Sequence, residues 1–84
     1  MSPVLVIVPT YDEKDNVGPI ARAVGAIQPA AHMLFVDANS PDGTGRLLDE
    51  MTAADGRVHV LHQASKQGLG RAYIAGFKWA LARD

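Results

Sequence analysis

Apolar residues in this chain gather into three short continuous runs, and between the runs they recur at helical spacing. "VLVIV", Val4 to Val8, is apolar at every position and mostly β-branched, the pattern of a strand covered on both faces. Pro9 lacks a ladder donor, so regular pairing is predicted to end about there. After the polar "TYDEKDN", Val17, Ile20, Ala21, Val24 and Ile27 mark the apolar face of a helix. Asp15 or Asn16 can cap it, Pro19 is expected within its first turn, and Pro29 is expected to close it. "HMLFV", His32 to Val36, predicts the second strand. Ser40-Pro41 can open a turn or cap the helix whose apolar face is Leu47, Leu48 and Met51, and Asp55-Gly56 ends that helix. "VHVL", Val58 to Leu61, is the third strand. "QASKQGLG" reads as a loop before a third helix marked by Leu69, Tyr73, Gly76, Phe77, Ala80 and Leu81.

The order is β-α-β-α-β-α, and crossovers of this length favour a Rossmann-like parallel sheet with right-handed connections. Ligands of such sheets bind beyond the carboxyl ends of the strands. The loops at that edge, "PTYDEKDN", "DANSPDGT" and "HQASKQGLG", are the most polar part of each unit.

Length and composition narrow the class. The 84 residues fit one small domain or part of a larger one, with no repeat, linker or internal boundary. A net charge of −1 gives no basic field for nucleic acid or anionic lipid, and the absence of cysteine excludes disulfides and thiolate chemistry. Val4 to Val8 is far shorter than the ~20 residues of a membrane span, and it lacks the basic flank of a signal peptide.

Candidate chemistry concentrates in the first two loops. Tyr11, Asp12, Glu13, Lys14 and Asp15 suit a solvated loop whose acids complement a helix dipole. Asp37, at the tip of a buried strand, can accept hydrogen bonds from a sugar hydroxyl or a base N–H. Gly43 and Gly45 either admit a ligand close to the backbone or satisfy turn geometry. Lys66 can face a phosphate, although a lone lysine is usually solvated. "GLGRAY" carries half of a dinucleotide fingerprint after the wrong strand, and no P-loop occurs. His59 and His62 fall on opposite faces of their strand and His32 stands alone, so the histidines predict no metal site. Tyr73, Phe77 and Trp79 are read as core.

Together, "VIVPTYDEKDNV", "LFVDANSPDGTG" and "VHVLHQASKQGLGRAYIAGFKWAL" resemble the amino-terminal part of family 2 glycosyltransferases, most closely the polyprenol-phosphate (dolichyl-phosphate) mannose synthases. The resemblance covers nearly the whole chain, and residues 1–84 are read as part of one domain. It implies the amino-terminal half of a GT-A nucleotide-sugar domain, with Pro9, Tyr11 and Glu13 lining the nucleotide pocket and Val36, Asp37 and Ala38 meeting base and ribose. It also implies GDP-mannose as donor, a polyprenyl phosphate lipid as acceptor, and a setting at the cytoplasmic membrane surface, with a membrane-anchoring partner or domain. Mg2+ or Mn2+ is implied as cofactor, with ligands mostly beyond the end of this chain.

Two departures stand out. The family usually carries an acid where this chain has Ala38, and a lost charged hydrogen bond costs ~1.5–3 kcal/mol, about ten- to a hundredfold in binding. No Asp-x-Asp metal motif occurs in the chain, so no catalytic residue is assigned and these 84 residues alone are expected not to catalyse. Rival readings are a non-catalytic nucleotide-binding module, a family 2 enzyme using another nucleotide sugar, and a receiver-like domain. The receiver reading lacks an acid at the end of the third strand, "VLHQ".

Overall fold

The computed structural model describes residues 5–12, 14–28, 30–64 and 68–83. Strands β1 (Leu5–Thr10), β2 (His32–Asp37) and β3 (Val58–His62) alternate with helices α1 (Lys14–Ile27), α2 (Thr44–Ala54) and α3 (Leu69–Arg83). The strands pair in parallel in the order β1-β2-β3, with Leu5 opposite His32 and Met33 opposite Val58. The expected alternation and parallel sheet are therefore present.

Side-chain alternation along the strands divides the core into two layers. Val6, Val8, Met33, Phe35, Val58 and Val60 face Val17, Ile20 and Val24 of α1 and Leu47, Leu48 and Met51 of α2. Leu5, Ile7, Leu34, Val36 and Leu61 face Ala72 and Trp79 of α3. Phe35 and Leu34, adjacent on the central strand, are both fully buried on opposite sides. A strand covered on both faces needs apolar residues at every position, which is why β1 and β2 read as unbroken runs.

Pairing ends about Pro9 as expected, one residue later: Pro9 stands opposite Val36 and Thr10, the last residue of β1, opposite Asp37. The Thr10 carbonyl accepts the Ala38 N–H at 3.1 Å, so Thr10 turns its backbone toward β2, and Pro9, one residue earlier, turns its donor-less nitrogen to the open edge. Two expectations about the helices need correction. Pro19 is the sixth residue of α1, past the first turn. The helix starts early because the Lys14 N–H is held by Asp42 Oδ2 (3.2 Å) from the neighbouring loop. Tyr73 and Phe77 lie outside the core, 41% and 59% exposed, because α3 presents Ala72, Gly76 and Trp79 to the sheet. Pro29, expected to close α1, lies outside the described residues.

The amino-terminal ends of β2 and β3 carry a polar joint. His32 Nδ1 and His59 Nε2 lie 2.9 Å apart with ring planes 12° from parallel, and the Trp79 ring sits 4.9 Å from His59. His32 is thus paired across the sheet, contrary to the expectation that it stands alone.

Candidate functional site

The polar loops at the carboxyl-terminal edge are laced to one another, and the β2–α2 loop does the lacing. Asp37 is its root. Only 1% exposed, the Asp37 carboxylate accepts Thr10 Oγ1–H at 2.8 Å and Ser40 Oγ–H at 2.6 Å on Oδ1, and Ser40 N–H at 3.1 Å on Oδ2. Thr10 and Asp37 meet because they are register partners whose side chains continue the Val6-Val8 and Met33-Phe35 face. A buried carboxylate is tolerable only when its oxygens are saturated in this way.

From this root the loop reaches both neighbours. Toward β1, Ser40 Oγ accepts the Asp12 N–H at 3.0 Å and Asp42 holds Lys14. Toward β3, Asn39 Nδ2 donates to the Ala64 carbonyl at 3.1 Å, and the Asp37 carbonyl accepts the Gln63 N–H at 2.7 Å. Asp12 (φ 55°) and Asn39 (φ 58°) both adopt the left-handed conformation, a disfavoured geometry for which Asp and Asn are the usual non-glycine occupants.

Asp42 also opens α2. Its Oδ1 accepts the Thr44 N–H at 3.0 Å and the Thr44 hydroxyl, while Gly43 bends through φ 91° as the residue before the helix. The Thr44 hydroxyl holds the Asp42 carboxyl below its usual range; desolvation opposes it, and the Lys14 and Thr44 amides add to the lowering. Gly45 sits where a Cβ would stand 3.2 Å from Asp37 Oδ2 and 3.3 Å from the His62 ring. The two glycines in "SPDGTG" therefore answer different needs, a left-handed turn at Gly43 and close packing at Gly45.

A cleft of about 760 Å³ opens over this loop, the start of α2 and the end of β3. Lys14, Ser40, Asp42, Arg46 and Asp49 contribute to its walls, and His62 Nε2 is bonded to Asp49 Oδ1 at 2.8 Å. Its lining mixes polar and apolar surface and carries charges of both signs.

Of the expected site residues that the structure describes, only Asp37 lines this cleft; Pro9, Tyr11, Val36 and Ala38 do not. Asp37 borders the cleft from beneath but spends its carboxylate on Thr10 and Ser40. Val36 buries its side chain against α3, leaving only its backbone near the rim. Ala38 follows just past the end of β2 and is 9% exposed. Pro9 is half-buried at the strand end and Tyr11 is 37% exposed. Glu13 and Lys66 lie outside the described residues. Asn39, Ser40 and Asp42 crowd the same strand end as Asp37 in the sequence but carried no assigned role there, and Thr10 was not singled out. The signal for Thr10 was available, because extending the Val6-Val8 alternation by one step places it beside Asp37.

Among the described residues, no group of three or more His, Cys, Asp or Glu side chains is placed to hold a metal ion. No described helix is long and apolar enough to cross a membrane.

A parallel βαβ sheet with a polar, interlaced carboxyl-terminal rim is a Rossmann-like α/β arrangement, and comparison with known proteins gives its family. The profile of Glycosyl transferase family 2 matches residues 5–83, and the chain belongs to that family. A polyprenol monophosphomannose synthase of Mycolicibacterium smegmatis is 55% identical over 80 residues, 94% of this chain and 30% of that protein. An undecaprenyl-phosphate mannosyltransferase of Micrococcus luteus is 48% identical over 80 residues, 95% of this chain and 33% of that protein. The chain thus spans about a third of the length of these relatives. In fold it is similar to a mannosyltransferase from Pyrobaculum calidifontis solved in complex with GDP-Man and Mn2+. The TM-score is 0.75 at 21% identity, over 89% of this chain and 23% of that one. The GT-A architecture expected from the resemblance is the architecture found.

Proposed function

We propose that this chain is the nucleotide-sugar-binding part of a polyprenol-phosphate mannosyltransferase that takes GDP-mannose as donor and a polyprenyl phosphate as acceptor. The observation that carries the reading is the interlaced rim, where one central loop fixes the loops of both neighbouring strands in a family 2 chain. Pro9, Tyr11 and Glu13 are proposed to line the nucleotide pocket, with the backbone of Val36 and Ala38 beneath it and Asp37 holding the rim together. The mannosyltransferase relatives and the GDP-Man complex of the structural neighbour support the choice of donor.

In the proposed reaction an oxygen of the acceptor phosphate bonds to the anomeric carbon of mannose. The bond from that carbon to GDP breaks with its electron pair, and the configuration inverts. The acceptor is already anionic, so no proton has to move and no general base is required. The work left to the protein is to hold and orient the donor. This chain contributes a rim whose loops are fixed before ligand arrives, which lowers the ordering cost of binding. The divalent cation implied by the family finds no donor set among the described residues, and no step is assigned through it. A lipid-phosphate acceptor places the reaction at a membrane surface, proposed to be the cytoplasmic one.

Calorimetric titration with GDP and GDP-mannose, with UDP-glucose as control and with and without Mn2+, tests the reading. Saturable binding of both guanine nucleotides with little response to UDP-glucose is expected. Equal affinity for all three, or no binding to any, would overturn it.

A further inference from the structure

The Ser40 hydroxyl stands between a buried charge and the backbone of another loop. A hydroxyl carries one proton. Ser40 gives it to Asp37 Oδ1 at 2.6 Å, a short charge-assisted bond, and Asp37 Oδ2 takes the Ser40 N–H as well. The Oγ lone pairs are then turned outward, and one of them accepts the Asp12 N–H at 3.0 Å. Asp12 is held in the left-handed conformation, and Tyr11 precedes it on the same turn. Thr10 closes the circuit from the other end by donating to the same Asp37 oxygen. Tyr11 and Asp12 are thereby pinned from both sides, through Thr10 in the strand and through Ser40 across the rim.

We infer that Ser40 is a positioning residue for the nucleotide loop: it carries the orientation imposed by the Asp37 carboxylate to the Asp12 amide, and so sets the pose of Tyr11 toward the ligand. The inference rests on the nucleotide reading above. It assigns Asp37 an indirect part, since a carboxylate 1% exposed and saturated by Thr10 and Ser40 acts through its neighbours. Replacing Ser40 by alanine removes the acceptor of Asp12 and one donor to Asp37 together. Replacing it by threonine keeps the hydroxyl.

The test combines three measurements on the wild type, Ser40→Ala and Ser40→Thr: the Asp12 amide proton shift, GDP affinity by calorimetry, and the thermal midpoint. In Ser40→Ala the Asp12 amide is expected to move upfield and GDP affinity to fall about tenfold. Ser40→Thr is expected to restore both. A merely structural serine would lower the midpoint while leaving GDP affinity unchanged at temperatures far below it, and that result overturns the inference. Should wild type bind no nucleotide, the functional reading fails separately. The relay is then judged by Asp12 alone, and an unmoved amide in Ser40→Ala refutes it. If Ser40→Ala does not fold, Ser40→Cys, close in size with only a weak donor and acceptor, takes its place in the same comparison.

Discussion

His32 Nδ1 and His59 Nε2 face one another at 2.9 Å across the β2–β3 pair, joining two strands at the end of the sheet opposite the candidate site. The nearly parallel planes and the 5.2 Å between centroids are those of two rings lying edge to edge with their nitrogens aimed at each other. One ring donates and the other accepts, according to tautomer. Trp79 leans on His59 and brings α3 into the joint.

Replacing His59 by alanine removes the hydrogen bond and the contact with Trp79. A loss of about 1–2 kcal/mol is expected in urea unfolding. Trp79 is the single tryptophan of the chain, so its fluorescence should report a changed environment in the folded variant. An unaltered midpoint with unaltered emission would mean that the joint contributes nothing.

Asp37→Ala should be the most damaging single change on the rim. It strands the buried Thr10 hydroxyl and the half-buried Ser40 donors, at an expected cost of about 3 kcal/mol. Denaturant unfolding measures this directly. A cost below ~1 kcal/mol would show that water replaces the carboxylate without difficulty.

Gly76 packs so closely on β1 that a Cβ would stand 2.9 Å from Ile7 Cγ2 and 3.1 Å from Ile7 Cδ1. Alanine gains about 1 kcal/mol of helix propensity but overpacks the layer by about 1–3 kcal/mol. The Ile7 Cγ2 atom is bonded to Cβ and has no far end to swing aside, so overpacking is expected to win. Gly76→Ala should therefore melt below the wild type, and a higher thermal midpoint would show that α3 lifts away from Ile7 at little cost.

Asp42 supplies a pH signature. Its folded-state pKa is depressed, chiefly by the Thr44 hydroxyl, so its contribution is present above the unfolded value of 3.8 and is lost as pH falls through the lower folded value. Asp42→Asn should be less stable than wild type at neutral pH, and the gap should narrow below pH 3.8. Melting curves from pH 7 downward follow it; a gap constant across that range would assign the loss to geometry and not to charge.

Ala38→Asp supplies the acid that the resemblance to family 2 glycosyltransferases leads one to expect after β2. If Ala38 borders the nucleotide as proposed, GDP should bind about ten- to a hundredfold more tightly. Calorimetry on the variant decides it, and unchanged affinity would place Ala38 away from the ligand.

Strand identity, element order and the polar edge were legible because each rests on a periodic pattern. A fully apolar run such as Val4 to Val8 has one economical use, burial on both faces, and the two core layers follow from it. The lacing of the rim was not legible. Ser40 and Asp12 are 28 residues apart, and nothing local distinguishes a serine that caps its own helix from one that braces a neighbouring loop. The start of α1 was misplaced for the same reason, since its Lys14 amide is held by Asp42 from outside the segment. Tyr73 and Phe77 were misread because helical spacing reports that a face exists, while small residues such as Ala72 and Gly76 decide which face meets the sheet.

Pro9 has a wider effect than its place in the strand suggests. Along β1 the backbone groups of Leu5, Ile7 and Pro9 alternate toward the side away from β2, so that side offers donors at its base and none at its top. Any segment zipping onto this margin would find at Pro9 a carbonyl to donate to but no N–H to accept from, two residues short of Tyr11. The ladder would lose one hydrogen bond there through the chemistry of a single imino acid.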